Sequence, residues 1–496
     1  MPPVPRPAVR VRMYRQGLGD CFLVTFDDGQ TPRHMVIDCG TLGAQLTDID
    51  MDDVVDDIAA VTGNHVDLLV VTHEHKDHVS GFNSAKAQWD GITVDRVWVA
   101  WTENPNDAKA VELKKFSTDL AISLALAANT LEAAGGGARQ ARTARDAAGD
   151  VRQLLGFVGD VPDEGQPLPA AFAKTVHEAM TYATFKGPGK PSYLKPGSVK
   201  RPAWLPGVRF YVLGPPRTDA RLRSLGEHGD PELYSLAGQL GADISACAAF
   251  AASGQPFREY RDSLDAGGRV DLERRLPFDP RFRLESAEEA ARRAQFTAYF
   301  DDENEWRRID HDWLAASTDL ALQLDNLTNN TSLVLAIELI RDRIVLLFAA
   351  DAQLGNWLSW HDHQFRFTDE NGTKRTVKAG ELLARTVLYK VGHHSSHNAT
   401  VKEQGLEMMV RDDLVAIIPL DTKVALAKRP HPWIMPAEAL YRHLLEKTTG
   451  RVLRSDIGWA ADDHRPDTIT KTAWDQARSQ LQSRVTISDV AVEVNI

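Results

Sequence analysis

Cysteine is scarce: Cys21, Cys39 and Cys247 are the only three among 496 residues, and none falls in a CxxC or mixed Cys/His spacing. So few thiols cannot build a disulfide framework or a thiolate zinc site, and a reducing, cytoplasmic setting is the expectation. Long apolar runs are missing too. Nothing approaches the roughly 18 residues that a membrane-crossing helix needs. The opening MPPVPRPAVRVRMYRQ also lacks the apolar centre of a secretory signal, so no membrane partner is expected. There is no excess of positive charge either. The formal net charge of −12 excludes a global attraction to nucleic acid or an anionic membrane, so any phosphate binding must be local. No repeat of fixed period stands out.

What is present is concentrated in Val66 to His78, VDLLVVTHEHKDH. Its Val- and Leu-rich half suits one buried strand and is too short for a helix. The strand runs into a loop with three His, one Glu and one Asp. His73, His75, Asp77 and His78 offer neutral imidazoles and a carboxylate, the donor types that suit zinc, manganese or iron. Four such groups within six residues do not easily converge on one ion. The pairs His73 with His75 and Asp77 with His78 point instead to two adjacent divalent ions about 3.5 to 4 Å apart.

HEHKDH followed by Val79-Ser80-Gly81 resembles the HxHxDH signature of the metallo-β-lactamase fold. GLGDCFLVTF (Gly17 to Phe26), MVIDCG (Met35 to Gly40), NNTSLVLAIEL, RIVLLFAAD ending at Asp351 and LYKVGHHSS (Leu388 to Ser396) are similar to further parts of that pattern. The combination, with Gly214-Pro215-Pro216 and His431-Pro432, resembles the hydrolase domain of the ComEC DNA-uptake proteins and their stand-alone relatives. Ala350 and Ser395 stand where that pattern has glycine, and no His stands at an obvious third-ligand position after the first motif. The resemblance implies an α/β fold, an αββα sandwich with two largely helical insertions. Residues 9–104 form the first half of the core, 105–207 an insertion (helical hairpin plus basic loop), 208–217 a core strand, 218–326 a helical insertion and 327–496 the second half. It also implies two zinc or manganese ions held by His73, His75, Asp77, His78, Asp351 and one of His393 and His394. Asp77, Lys390 and His431 would take part in catalysis, and Asp38 would order the metal loop.

Some side chains keep two readings at this level. Asp20 caps a turn or faces the metal loop. Lys390 is exposed on the far strand face or offers charge to a phosphate, and His431 is a general acid or part of a turn. Between Ala179 and Thr218 stand Lys186, Lys190, Lys195, Lys200, Arg201, Arg209 and Arg217 with no Asp or Glu. With Tyr193 and Trp204 interleaved, this stretch suits either a solvated loop or one that follows a phosphate backbone and stacks bases. The Ala-rich hairpin from 108 to 159, broken at Gly135 to Gly137, carries no expected chemistry. Nor do His228 and His311.

The function expected is hydrolysis by a water activated between two metal ions, with a phosphodiester, DNA or another nucleotide as substrate, that is, a phosphodiesterase or nuclease. The same ion pair also opens lactones and thioesters, so a small acyl substrate is the competing expectation. A third is an effector module whose long insertions recognise a protein partner.

Overall fold

The computed structural model describes residues 7–43, 46–133, 138–162, 172–224, 312–429 and 431–496, with a few isolated residues and short pieces between them. Most of the expected second insertion lies outside the described residues, with Cys247, His228 and His311; so does the Gly135–Gly137 break.

Two mixed eight-stranded sheets make up the β structure. The first runs Val485–Ile487, Ala491–Asn495, Ala8–Tyr14, Cys21–Asp27, Arg33–Cys39, Leu68–Val71, Val97–Ala100, Ser192–Leu194. The second runs Gly458–Trp459, Val452–Arg454, Val415–Ile418, Thr386–Lys390, Ile344–Phe348, Val334–Leu339, Val208–Gly214, Val199–Lys200. In each sheet an antiparallel part adjoins four consecutive parallel strands. The tail is a hairpin whose second strand pairs with Ala8–Tyr14.

Period-two alternation sorts the side chains between faces. Phe22, Val24 and Phe26 of one strand, and Leu68 and Val70 of another, enter a core shared with Phe210, Leu335, Ile337, Phe348 and Leu388 of the opposite sheet. Their alternates Leu23, Leu69 and Val71 turn outward, onto Val54, Val55 and Ile58 of helix Met51–Thr62 and Met180 of helix Lys174–Thr184. On the second sheet Tyr211, Leu213 and Tyr389 turn outward onto Trp357, Leu440, Leu444 and Trp474. Helices therefore cover both outer faces of a mixed α/β body. Each buried Phe, Leu or Val contributes about 1.5–3 kcal/mol, and a one-residue slip would exchange the two faces. Helix Met51–Thr62 is delimited by the reciprocal Asp50–Asp53 capping box and by Gly63 at φ 62°.

Helices Ala108–Ala133 and Ala138–Leu155 form the expected hairpin. They pack with helix Asp312–Asn330 through Leu120, Leu124, Val151, Leu155, Leu320 and Leu324. That third helix runs through position 326 and delivers Asn329 and Asn330 to the core. No helix among the described residues is long and apolar enough to cross a membrane.

The basic stretch lies along the sheet edges, and its arginines serve the fold. Arg209 is buried against Glu338 and Glu370, Arg217 pairs with Asp107 at 2.9 Å, and Arg201 faces Glu370 at 3.7 Å. None of its seven cations bonds to residues 73–78.

Candidate metal centre

Both central parallel strands end at the same place. Leu68–Val71 runs into Thr72 and the His-rich loop; Thr386–Lys390 runs into His393 and His394; Asp351 follows Ile344–Phe348. The carboxyl ends of parallel strands are where an α/β sheet leaves side chains and loops free to converge.

The loop is held from several sides. At Gly40 a Cβ would come within 2.4 Å of the Asp77 carbonyl carbon, and at Gly19 within 2.7 Å of the Asp77 oxygen. Only glycine lets these two turns reach the loop. The Asp20 N–H then donates to the Asp77 carbonyl at 2.9 Å. Asp38, at φ 57°, accepts from the Thr72 N–H at 2.8 Å and from the Thr72 hydroxyl at 2.7 Å, the loop-ordering role expected of it. Glu74 points away and pairs with Lys114 at 2.7 Å and His177 at 2.9 Å, tying the loop to two helices.

Asp77, His78, Asp351 and His394 meet with one ligand atom each, all within 4.8 Å of one another, and all four are buried. His78 Nε2 is 3.0 Å from Asp351 Oδ2 and 3.7 Å from Asp77 Oδ2, and His394 Nε2 is 2.9 Å from Asp77 Oδ2. His78 Nε2, Asp77 Oδ1 and Asp351 Oδ2 nonetheless make no hydrogen bond. Donors about 2.0–2.2 Å from one cation stand roughly 3–3.6 Å apart, so this spacing fits a shared ion better than an internal network. His73 and His75 lie alongside as a second pair, His73 Nε2 facing His75 Nδ1 at 3.2 Å.

The imidazole tautomers follow from their other partners. His394 Nδ1 reaches the Pro419 carbonyl at 2.6 Å, which can only accept. His78 Nδ1 donates to Asp38 Oδ2 at 2.8 Å. The Thr72 hydroxyl gives its proton to Asp38, so toward His73 Nδ1, at 3.1 Å, it acts as acceptor, joined by the Ser332 hydroxyl at 3.3 Å. Nε2 of His73, His78 and His394 is thereby turned into the site, the outer-partner arrangement common among metal-bound histidines.

The charges point the same way. Asp20, Asp38, Asp77, Asp325 and Asp351 are buried around the site, and Lys390 is the one buried lysine among the described residues. Carboxyl groups so crowded in the interior call for countercharge. Burial alone would lower His78, yet Asp351, Asp20, Asp77 and Asp38 hold it well above the usual histidine range. Burial holds His73 well below that range and brings His75 and His393 to about 4, which leaves these imidazoles neutral.

Three expected residues stand elsewhere than one of their readings placed them. Lys390 is not exposed on the far strand face: it is buried, 2.5 Å from Asp20 Oδ2 and 3.4 Å from Asp351 Oδ1. Asp20 thus faces the site through Lys390. His393 is not in the four-residue group; its ring bonds to Ser396 at 2.9 Å, and its backbone N–H donates to Asp351 Oδ1 at 3.0 Å. His431 is exposed, 3.4 Å from Asp150, and makes no contact with the group.

Other residues were not singled out by the sequence. Phe157, at the end of the helical hairpin, packs on His75 and His393 at 5.6 and 6.2 Å and stacks on Trp433 at 5.0 Å. The hairpin therefore roofs the site. Lys428 lies 5.1 Å over the Trp433 ring; burial holds its ammonium below the usual lysine range, and Asp77 acts against that shift. Lone aromatic and lysine positions in loops give no sequence signal of such a role.

A scan against protein-family models finds no match to this chain, and a search of curated proteins finds none either.

Proposed function

We propose that this chain is a metal-dependent hydrolase of the metallo-β-lactamase fold that uses two divalent cations, zinc or manganese, to cleave phosphodiesters, with nucleic acid or another nucleotide as the substrate class. The observation that carries this reading is the buried meeting of Asp77, His78, Asp351 and His394 from three separate segments, with three of their polar atoms unbonded. Those four residues would hold one cation and His73 with His75 the other. Two cations there supply Lewis-acid charge to the non-bridging oxygens of a phosphodiester and make a water molecule acidic enough to attack near neutral pH.

The chain's own groups do the rest. Asp38, Ser332 and the Pro419 carbonyl fix the imidazoles so that no reorganisation is needed during reaction. Lys390 neutralises Asp20 and steadies Asp351. Phe157 and Trp433 exclude water from one side. Lys428 has no ion-pair partner among the described residues and supplies a cation near Asp77, which favours an anionic substrate over a neutral acyl one.

The test is hydrolysis of a simple phosphodiester and of single- and double-stranded DNA with manganese or zinc, beside Asp77→Ala. Metal-dependent cleavage absent from the variant supports the reading. Turnover of lactones or thioesters alone moves the assignment to acyl substrates, and wild-type protein that binds no divalent cation ends it.

A further inference from the structure

We propose that Asp325, on helix Asp312–Asn330, is a positioning residue of the first metal position: its carboxylate holds the proton of His75 at Nε2 and so presents His75 Nδ1, beside His73 Nε2, as a ligand. The inference rests on the two-cation reading above and adds to it a residue outside the ligand series.

The argument begins with His73. Thr72 and Ser332 accept from its Nδ1, so Nε2 carries the lone pair. His75 Nδ1 stands 3.2 Å from that Nε2. If both nitrogens are to bind one cation, His75 must carry its proton on Nε2. That atom is buried and has no hydrogen-bond partner. The acceptor facing it is Asp325 Oδ1, at 3.9 Å, likewise buried and without a partner. A modest closure of two unsatisfied groups aimed at one another completes the carboxylate–imidazole–cation arrangement, which raises ligand basicity and fixes the ring.

Asp325 is placed for this. Its other oxygen, Oδ2, accepts from Asn329 Nδ2 at 3.0 Å, one helical turn on, which orients the carboxylate. Just after the helix, the Leu333 N–H donates to the Thr72 carbonyl at 3.0 Å, setting the helix in register with the metal loop. Lys390 is occupied with Asp20 and Asp351. Without cations, burial and then repulsion by Asp77 and Asp351 hold the Asp325 carboxyl well above the usual carboxylate range; a cation on His75 offsets that repulsion. In a chain with no His at an obvious third-ligand position after the first motif, a carboxylate behind His75 makes a two-imidazole position a stronger one.

The experiment is titration of the metal-free full chain with zinc and cobalt(II), following stoichiometry, stepwise affinity and the cobalt absorption spectrum, for wild type, Asp325→Ala, Asp325→Asn, His73→Ala and Asp77→Ala. Asp325→Ala is expected to weaken the cation that His73→Ala removes by about 10–100-fold, with a shifted cobalt spectrum, and to leave unchanged the cation that Asp77→Ala removes. Asp325→Asn keeps an acceptor oxygen and is expected to retain most of the affinity. Wild-type affinity at both positions in Asp325→Ala overturns the inference while the two-cation reading stands, as does equal loss in the Asn and Ala variants, which would make Asp325 a direct ligand. Wild-type protein that binds no cation overturns both.

Discussion

Lys390 Nζ lies 2.5 Å from Asp20 Oδ2, with both side chains buried. The pair joins the turn after the first strand to the end of a central strand of the opposite sheet, and Asp351 shares the same ammonium at 3.4 Å. Replacing Lys390 by Met deprives Asp20 and Asp351 of their shared ammonium in the interior, and removing one partner of a buried pair costs about 3–5 kcal/mol. Urea unfolding of Lys390→Met should show a loss of that size, with part of it recovered in the double variant with Asp20→Asn. An unchanged midpoint would mean that the ammonium is not the countercharge.

Asp77→Asn should lower the stability of the apo protein. Burial pushes the Asp77 carboxyl up, but His78 and the His394 hydrogen bond hold it below the usual carboxylate range, so the ionised form stabilises the native state and the amide loses that contribution. The upward shift in melting temperature that zinc or manganese gives wild type should be sharply reduced, because that shift measures binding to the native state alone. Differential scanning with and without metal separates the two effects.

Ala350 and Ser395 adopt φ of 49° and 64°, the left-handed region, at the two places where the resembling pattern has glycine. A non-glycine residue there costs roughly 1–2 kcal/mol. The Ser395 hydroxyl has no hydrogen-bond partner, so little is lost with it. Ser395→Gly should therefore stabilise the protein by about 1 kcal/mol with metal content unchanged, read from denaturant unfolding.

His75 and His393 are brought to about 4 by burial. A depressed histidine favours the folded state above its unfolded value near 6.5, and that contribution is lost as pH falls toward the folded value. Metal-free protein should thus lose stability between about pH 6.5 and 4. The slope over that window should flatten in His75→Gln, which has nothing to titrate there. A slope identical in wild type and variant would contradict the assignment.

Lys428→Ala should raise KM for a phosphodiester about tenfold, the effect of removing about one charge-assisted contact, while metal content and kcat stay near wild type. A fall in kcat at unchanged KM would place the lysine in the chemical step instead.

Much of the centre could be read from the sequence because its signal is local. A buried strand followed by HEHKDH puts four donors within six residues, and in the fold His73 lies with His75 while Asp77 and His78 join Asp351 and His394. Asp351 and His394 also end strands, so alternating apolar runs led to them. The strands themselves followed from Val-, Leu- and Ile-rich segments bounded by turns, whereas the close approach of Gly19 and Gly40 to the Asp77 backbone is visible only in the fold.

What the sequence left open depended on which faces meet. Strand alternation gives Lys390 two sides, and only the packing of one sheet on the other directs it to Asp20. His393 and His394 are chemically alike; the backbone after the strand sends one ring to Asp77 and the other to Ser396. Asp325 and Phe157 belong to helical segments with no motif, and their place beside His75 arises only when the hairpin and helix Asp312–Asn330 pack together. Local order of residues therefore determined the strands, the metal loop and its donor types. Tertiary structure alone decided which donors meet, which charges are neutralised in the interior and what covers the site, because those relations join residues hundreds of positions apart whose meeting is set by core packing.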